Sequence, residues 1–204
     1  VAEKALTGAV NRLGMTAKVM ADEAAFYGPK IDVKLLDALG RKWQLSTVQF
    51  DFNLPGKFGL EYVGEDGKRH QPLMVHRALY GSVERFFGIL VEHYAGAFPL
   101  WLAPVQAVVM PITDRHQEYA KSVFEKLEAA GIRAQLDDRK EKVNLKIREA
   151  QLQKVPYMLV AGDREAESGT VSVRHRKHAD MGAKPIDEFI ADALAKINSK
   201  SVED

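Results

Sequence analysis

The residues that could do chemistry in this chain begin with a histidine in the segment LMVHRALY. His76 alternates with Met74 and Ala78, so it shares one face of a strand with apolar side chains, and we expect that strand to be buried. A histidine in this position is either a core residue with a satisfied hydrogen bond or a zinc ligand. No second histidine or cysteine stands at ligand spacing nearby, so the pattern leaves both readings open.

The segment that follows, GSVER, is typical of an anion site. Gly81 and Ser82 stand between the strand and the start of a helix, where backbone N–H groups are free and the helix dipole is positive. Arg85 is in the first turn of that helix, and its guanidinium has the geometry for two hydrogen bonds to a phosphate. The competing interpretation is that Arg85 forms an ion pair with a carboxylate on the surface.

Further upstream, polar side chains occur in a turn and in an otherwise apolar strand. The turn FYGPK places Tyr27 and Lys30 at the head of a strand, where the lysine either contacts phosphate as a point charge or is solvated. In QLSTVQFDF, Gln44 and Gln49 either serve the fold or face a polar ligand, because buried amides need partners. Their odd spacing puts them on opposite faces of a regular strand, so both can serve one site only if a β-bulge lies between them.

In the second half of the chain, positive charge is concentrated in two segments. RKEKVNLKIREAQLQK has six basic residues against two glutamates, and VRHRKH adds two arginines and a lysine. Because the formal net charge of the 204 residues is only +1, a nucleic-acid partner would have to contact a local patch of this kind. A solvated helix face explains the same charges equally well.

The composition is that of a globular protein, with 46% hydrophobic and 28% charged residues, and the length suits one large domain or two small ones. The absence of cysteine excludes a disulfide framework and fits a reducing compartment, so we expect a cytoplasmic protein. There is no apolar run that could span a membrane and no secretory signal pattern. The chain begins at Val1 instead of methionine, and we expect it to be a piece of a longer protein or a processed one.

Two differently patterned halves are expected, 1–103 and 104–204, separated near FPLWLAP. The first half predicts a helix in AEKALTGAVNRLG, antiparallel strands around turns at 38–40 and at EDGK, and a mostly apolar helix from Ser82 that is buried on more than one side. The second half alternates as β-α-β-α-β-β-α, with GTVSVRH as an edge-like strand. This order predicts an open α/β sheet with helices on both faces.

Several of these segments together resemble one family. HRALYGSVERFFGILVEHYAGAFPLWLAPVQ closely resembles motif 3 and the domain junction of the threonyl-tRNA synthetases, which are class II aminoacyl-tRNA synthetases. AFYGPKID, WQLSTVQFDFNLP and EYVGEDG are similar to the strands before motif 3, and KIREAQLQKVPYMLVAGDRE with SGTVSVR is similar to the C-terminal anticodon-binding domain. The resemblance implies part of an α+β catalytic core with an antiparallel sheet, followed by an α/β anticodon-binding domain with a mixed sheet.

The resemblance also implies an activity, that of a threonine–tRNA ligase. Threonine and ATP, with Mg²⁺, form threonyl-adenylate, and threonine then passes to the 3′ end of tRNA(Thr). Arg85 matches the motif 3 arginine that contacts ATP and is the catalytic candidate, and Lys30 and Gln44 match positions close to the nucleotide. Three further residues match positions near the threonine pocket: Tyr27, Gln49 and Ser82.

His76 matches a zinc ligand of the family, in which one Zn²⁺ binds the amino group and the hydroxyl of threonine and so rejects valine. The family's other two zinc ligands, a cysteine and a histidine, are expected to lie before Val1, together with motifs 1 and 2. We therefore expect this chain alone to have an incomplete ligand set, to bind zinc poorly and not to aminoacylate. The full-length enzyme is expected to be a homodimer without membrane association.

In the second half, five residues match family positions that contact anticodon bases or the adjoining backbone: Lys140, Lys142, Arg148, Glu165 and Arg174. A carboxylate among cations is consistent with base recognition, since Glu165 can accept a hydrogen bond from a base amino group while the cations contact phosphates. Lys140 replaces a polar amide that some relatives have. The resemblance favours tRNA over a merely solvated surface for the basic segments.

Two alternative functions are consistent with parts of the pattern. One is another class II synthetase with the same kind of C-terminal domain, such as the prolyl, histidyl or glycyl enzyme. His76 followed by RALYGS argues against it, because those relatives do not build their pocket around this zinc. The other is a non-catalytic RNA-binding or regulatory protein that has kept a partial synthetase core.

Overall fold

The computed structural model describes residues 1–20, 23 and 25–203. The chain divides into two compact units, Val1–His93 and Tyr94–Asp204. The domain boundary predicted between residues 103 and 104 stays a prediction. Within the described ranges, no helix is both long enough and apolar enough to cross a membrane.

The first unit is built on antiparallel strands. A three-stranded sheet has the order β1-β2-β5, and β3 pairs with β4 in a separate two-stranded sheet. The elements in chain order are α1 Ala2–Arg12, β1 Lys30–Leu36, β2 Lys42–Asp51, α2 Leu54–Lys57, β3 Tyr62–Val63, β4 Arg69–His70, β5 Met74–Ala78 and α3 Val83–Tyr94.

Both predicted turns are confirmed, and each has a local cause. Between β1 and β2, the carboxylate of Asp37 accepts the backbone N–H groups of Leu39 and Arg41 at 2.9 and 2.8 Å, which closes the turn from its own side chain. Between β3 and β4, Gly67 has a φ of +72°, a conformation that favours glycine. The long strand expected after this second turn is broken, because its residues divide between β4 and β5 in different sheets.

Two burial predictions for this unit are wrong. The strand that contains His76 was expected to be buried, but β5 is an outer strand of its sheet, and residues 75–78 are exposed. The apolar helix α3 was expected to be buried on more than one side, but Ile89 is its single fully buried residue within the described part of the chain. A three-stranded sheet offers a small surface, which covers one side of such a helix.

The second unit is a five-stranded mixed sheet with the order β10-β9-β8-β6-β7. Strand β6 pairs in parallel with β7 and β8, while β9 and β10 continue the sheet antiparallel. Its elements in chain order are β6 Ala107–Pro111, a 3-10 turn at Asp114–His116, α4 Gln117–Ala129, β7 Ala134–Leu136, α5 Val143–Leu152, β8 Tyr157–Ala161, α6 Asp163–Ser168, β9 Thr170–His175, β10 Ala179–Pro185 and α7 Ile186–Asn198.

The predicted α/β sheet with helices on both faces is confirmed. Val109 of β6 packs in a core with α4 and α7, while its neighbours Val108 and Met110 pack in a second core with α5. Alternate residues of one strand therefore face different helices. The prediction that GTVSVRH is an edge-like strand is wrong, because β9 lies inside the sheet between β8 and β10.

Ahead of β6, a connecting segment is tied to the second unit by buried polar contacts. Gln106 is 0% exposed, and its side chain donates to the carbonyl of Leu100 at 2.9 Å and accepts the N–H of Arg133 at 2.8 Å. The guanidinium of Arg133 donates in turn to the carbonyls of Trp101 and Ala103, at 2.9 Å each from Nη2. The backbone polar groups of this segment are thus satisfied by side chains in place of a regular ladder.

Candidate functional site

A β-bulge in β2 places the two predicted glutamines on one face of the first sheet. Val33 pairs with Ser46, but the next residue of β1, Lys34, pairs with Gln44, so Leu45 is the extra residue of the bulge. Because directly paired residues share a face, Gln44 and Gln49 point to the same side as Lys34 and Lys30. The β-bulge that their odd spacing requires is therefore present, and both glutamines can serve one site.

Asp32 lies at the centre of this polar face and joins two of the predicted nucleotide-binding residues. Its Oδ2 is 2.6 Å from Lys30 Nζ, and its Oδ1 accepts the side-chain amide of Gln44 and the hydroxyl of Thr47, both at 2.8 Å. Each of these side chains is held by a second group on the sheet, so the arrangement is rigid before any ligand binds.

His76 lies on the same face, directly across from Gln49. The two are partners in the β2–β5 ladder, and Gln49 is also the partner of Lys30 in the β1–β2 ladder. Gln49 is 8% exposed, yet its amide has no hydrogen bond within the part of the chain that the structure describes. Its amide atoms are not among the fully buried polar atoms that lack a partner, so the amide can bind a polar ligand that reaches this face.

The His76 imidazole is held by a buried carboxylate that the sequence patterns did not single out. His76 Nε2 lies 2.8 Å from Asp51 Oδ2, while Asp51 Oδ1 accepts the backbone N–H groups of Asn53 at 2.8 Å and Leu54 at 3.0 Å. The hydrogen bond from Leu54, followed by that from His76, holds the pKa of Asp51 below its ordinary value. Since the His76 side chain is 44% exposed, it is not a core histidine.

The described residues supply one potential zinc ligand and no complete set. Among them, no three His, Cys, Asp or Glu side chains gather in a group that could hold a metal ion. His76 itself fits the role of a single ligand. One of its nitrogens is fixed by a carboxylate and the ring is partly exposed, an arrangement common for histidines that bind metals.

The other predicted residues of this unit lie around β2 in different ways. The carbonyl of Tyr27 accepts the N–H of Phe52 at 3.1 Å, and the turn comes so close to β2 that a Cβ on Gly28 would clash with the Phe50 carbonyl oxygen. Ser82 caps α3, because its Oγ accepts the N–H of Arg85 at 3.1 Å. These contacts explain why glycine and serine stand at their positions.

Arg85 has no ion pair within the described residues, so the predicted alternative of a surface carboxylate partner is not what the structure shows. Its guanidinium lies 6.0 Å from the ring centroid of Trp43, the residue before Gln44. Trp43 pairs with Leu35, which points away from the polar face, and the structure does not bring Arg85 into contact with Lys30 or Gln44. The arginine is thus a free cation at the start of α3.

Asp32, Thr47 and Asp51 are the residues of this face that sequence reasoning missed. A signal for them exists, since polar residues recur at 47, 49 and 51 and at 30, 32 and 34, which is the alternation of a strand with one polar face. Their contacts with Lys30 and His76 depend on strand pairing and have no such signal.

In the second unit, a cleft of about 650 Å³ opens where the parallel strands end. Helix α4 follows β6 on one face of the sheet and α5 follows β7 on the other, so the two connections diverge and leave a crevice between them. Ligands of open α/β sheets bind at this kind of position. Residues of the cleft come from 111–117, from 138–142 and from the buried Lys146.

Lys140 and Lys142 line this cleft, while two other basic residues of its lining are held by protein groups. Lys140 Nζ is 3.2 Å from Asp114 Oδ2 at the rim, and Lys142 stands exposed at the start of α5. Lys146 is only 2% exposed and donates to the carbonyl of Asp137 at 2.9 Å, so it does not belong to an exposed basic patch. Arg139 is held between Asp137 and Glu149, at 2.7 Å from each.

The remaining predicted RNA-binding residues lie outside the lining of the cleft. Glu165 is in the first turn of α6, just after β8, and its Oε2 accepts the N–H of Gly162 at 3.0 Å. Arg148 is exposed on α5. Arg174, on β9, is 3.5 Å from Asp180, and its Nε is buried without a hydrogen-bond partner among the described residues.

Asp137 beside the cleft makes the second unit sensitive to acid. The hydrogen bonds from Arg139 hold the pKa of Asp137 below its ordinary value of 3.8, although partial burial opposes this. A lowered pKa in the folded state stabilises the protein above the ordinary value, and this stabilisation is lost as the pH falls through the lowered one. We expect Asp137→Asn to reduce the urea midpoint at pH 7 and to flatten its decline toward pH 2. Asp138→Asn, which changes the neighbouring exposed carboxylate, should leave the pH profile as in the unmodified chain; equal profiles for both variants would contradict the prediction.

Comparison with known proteins matches both units. The family model described as "tRNA synthetase class II core domain (G, H, P, S and T)" matches residues 4–94, and that described as "Anticodon binding domain" matches residues 106–196. The chain is 65% identical over 201 residues to the threonine–tRNA ligase of Acidobacterium capsulatum and 59% identical over 200 residues to that of Syntrophomonas wolfei. These alignments cover 98% of the chain but 30% and 32% of the relatives.

A solved structure shows the same architecture. The RNA binding domain of threonyl-tRNA synthetase from Cryptosporidium parvum superposes with a TM-score of 0.85 at 40% identity, covering 95% of this chain and 49% of that one. The predicted fold class, a partial class II core followed by an anticodon-binding domain, is confirmed. The chain spans about a third of the length of the curated relatives it matches.

Proposed function

Because this chain belongs to the threonyl-tRNA synthetase family, we propose that it serves a threonine–tRNA ligase, which activates threonine with ATP and Mg²⁺ and joins it to tRNA(Thr). The observation that carries the proposal is the polar face of the β1-β2-β5 sheet, which holds four residues predicted for one active site. Lys30, Gln49 and His76 form one row across the three strands, and Gln44 lies two same-face positions further along. Family membership is also our reason for proposing a homodimer in the cytoplasm.

The arrangement of this face supports a division of roles. Lys30 of β1 and Gln44 of β2 are both held by Asp32 and are proposed to bind the nucleotide. Gln49 and His76, with Tyr27 and Ser82 beside the sheet, are proposed to bind threonine. When threonine's carboxylate attacks the α-phosphorus of ATP, pyrophosphate leaves, and the negative charge that builds up on phosphate oxygens is stabilised by cations. Lys30 is proposed as such a cation on this face, and Arg85 is proposed for the phosphates from the resemblance of its position, since it lies beside Trp43 and does not contact Lys30.

A zinc ion at His76 would supply selectivity for an amino acid with a side-chain hydroxyl, since a metal ligand distinguishes threonine from valine where shape does not. His76 provides a partly exposed imidazole for this purpose, and Gln49 provides an unpaired amide next to it. Both groups point to the side of the sheet on which the nucleotide residues lie.

In the second unit, the cleft at the ends of the parallel strands is proposed to receive the anticodon. Lys140 and Lys142 line it, and Glu165 stands at the end of the neighbouring strand β8. Arg148 and Arg174 are proposed to contact the RNA backbone outside the cleft. Of these residues, Glu165 is the one suited to read a base, because a carboxylate accepts hydrogen bonds from exocyclic amino groups.

The ligase activity is tested with the protein expressed from its whole reading frame, in an ATP–pyrophosphate exchange assay with single amino acids. We expect threonine to support exchange, and valine, proline, histidine and glycine to support at most about 1% of that rate. Exchange driven by proline, histidine or glycine would show that the protein is another class II synthetase. Binding of tRNA without any exchange would show that it is a non-catalytic RNA-binding protein.

The role of Glu165 is tested on the 204-residue chain by its affinity for tRNA(Thr). Glu165→Gln keeps an oxygen that can accept the Gly162 N–H, so α6 should remain intact, but the charge and one base contact are lost. We expect about tenfold weaker binding and reduced discrimination against a tRNA with a changed anticodon. Glu167→Gln, on the same short helix, is the matched control and should bind like the unmodified chain. Equal affinities for both variants would exclude a base contact by Glu165.

A further inference from the structure

The pair formed by Asp51 and His76 decides which ring nitrogen of the histidine is available to a ligand. Both oxygens of Asp51 accept hydrogen bonds: Oδ1 from the backbone N–H groups of Asn53 and Leu54, and Oδ2 from His76 Nε2 at 2.8 Å. The side chain of Asp51 is 4% exposed, so it has no room to turn away. A carboxylate that is surrounded by donors in this way requires a proton on the nitrogen that faces it.

The second nitrogen is consequently the one with the lone pair. In a neutral imidazole one nitrogen donates and the other accepts, and the partner of the first determines the role of the second. Nε2 of His76 is the donor, and the part of the chain that the structure describes places no hydrogen-bond partner on Nδ1. Apart from Asp51, the neighbours of His76 on the same face of strands β2 and β5 are Met74, Ala78 and Gln49, none of which is charged.

We propose that Asp51 is a positioning residue that fixes His76 in the Nε2–H tautomer and so presents Nδ1 to a divalent cation such as Zn²⁺ on the polar face. The proposal rests on the proposed function for the identity of the cation, whereas the tautomer follows from the contacts alone. A carboxylate behind a metal-binding histidine orients the ring and strengthens its basicity, and its loss typically lowers metal affinity 10- to 100-fold. Asp51 is not itself a ligand, because both of its oxygens are already occupied.

Asp51→Asn distinguishes a positioning role from a purely structural one, because only a positioning role predicts a change in the tautomer of His76. The asparagine oxygen can accept the N–H groups of Asn53 and Leu54, which turns its NH₂ group toward His76. An NH₂ group donates, so Nε2 must become the acceptor and the proton must move to Nδ1. The fold is kept, and the tautomer is reversed.

The readout is the pair of ring ¹⁵N signals of His76 in long-range ¹H–¹⁵N NMR spectra of the metal-free 204-residue chain above pH 8. We expect a protonated Nε2 in the unmodified chain and a protonated Nδ1 in Asp51→Asn. Asp32→Asn is the matched control, because it changes the other carboxylate of the same face, which does not contact His76, and it should leave the His76 signals unchanged. A protonated Nδ1 in the unmodified chain, or the same tautomer in all three proteins, would overturn the proposal. If Asp51→Asn fails to fold, the unmodified chain alone decides.

Addition of ZnCl₂ to the same variants of the protein expressed from its whole reading frame tests the cation separately, because the described residues supply one zinc ligand of an incomplete set. We expect the Nδ1 signal of the unmodified chain to shift with zinc, and Asp51→Asn to need at least tenfold more zinc for the same shift. A correct tautomer without any response to zinc would overturn the metal part of the proposal and leave the positioning of His76 standing. A response to zinc in both proteins at equal concentrations would overturn the role of Asp51.

Discussion

Replacement of Arg85 by lysine is expected to reduce threonine-dependent ATP–pyrophosphate exchange by about 100-fold or more, because loss of one preorganised group that stabilises transition-state charge typically costs 10²–10³ in rate. Lysine keeps the positive charge but not the planar pair of donors. Arg85 is free to act on a ligand, since its guanidinium has no ion pair among the described residues and lies 6.0 Å from the centroid of the Trp43 ring. The assay uses the protein expressed from its whole reading frame.

The matched control for this variant is Arg69→Lys. Arg69 is an exposed arginine on β4 that pairs with Glu61 at 3.0 Å, outside the polar face, and its replacement should leave exchange within about twofold of the unmodified rate. Pyrophosphate exchange measures the activation step alone, so a defect in tRNA binding cannot imitate the effect. A loss of less than threefold for Arg85→Lys would mean that the arginine does not contact the phosphates in the transition state.

Replacement of Gln106 by leucine is expected to destabilise the second unit by about 3 kcal/mol. The glutamine is fully buried and pairs with the Leu100 carbonyl and the Arg133 N–H, and leucine would leave both backbone groups in the interior without a partner. Each buried group that loses its partner costs about 1–3 kcal/mol. The size of the two side chains is similar, so the effect comes from hydrogen bonding and not from a cavity.

Native-state hydrogen exchange of core amides measures this loss without interference from the first unit. The amides of Val109 and Leu159 lie in the central strands of the second sheet, and we expect them to exchange about 100-fold faster in Gln106→Leu. Gln135→Leu is the control, because Gln135 is exposed on β7 and its replacement should change these rates by less than about threefold. Similar rates in both variants would show that the contacts of Gln106 do not stabilise this unit.

Helices and strands could be predicted from the sequence where burial of one side makes their apolar residues recur at a regular spacing. The α4 helix, the buried strands β6 and β8 and the closing helix α7 each have apolar residues at the spacing of their structure, and each was predicted. The elements that were missed have no such pattern. All but one of the residues of β10 are exposed, and the strand is held by backbone pairing to β9, while α6 is a six-residue helix of mainly polar residues.

The candidate site could be predicted residue by residue, mainly from a family resemblance, but its internal contacts could not. That Asp51 holds His76 depends on the register between β2 and β5, two strands separated by 22 residues of turn, short helix and hairpin. The burial of Lys146 depends likewise on how α5 lies against the ends of β6 and β7. In both cases the sequence shows which residue type is present. Its hydrogen-bond partner lies on a distant element, and the sequence pattern does not identify that partner.

Because Leu45 is the extra residue of the bulge, the number of residues between Gln44 and Gln49 determines which faces of the sheet they occupy. Deletion of Leu45 alone would leave Lys30, Gln44, Gln49 and His76 in the sequence, and an alignment scored by identity would count every one of them as present. The pairing of β1 with β2 would become regular and the spacing of the two glutamines would become even, so Gln44 would stay on the same face as Gln49. In distant relatives the bulge and the number of residues between the two glutamines therefore have to be inspected together, because an odd spacing serves one face with a bulge and an even spacing serves it without one.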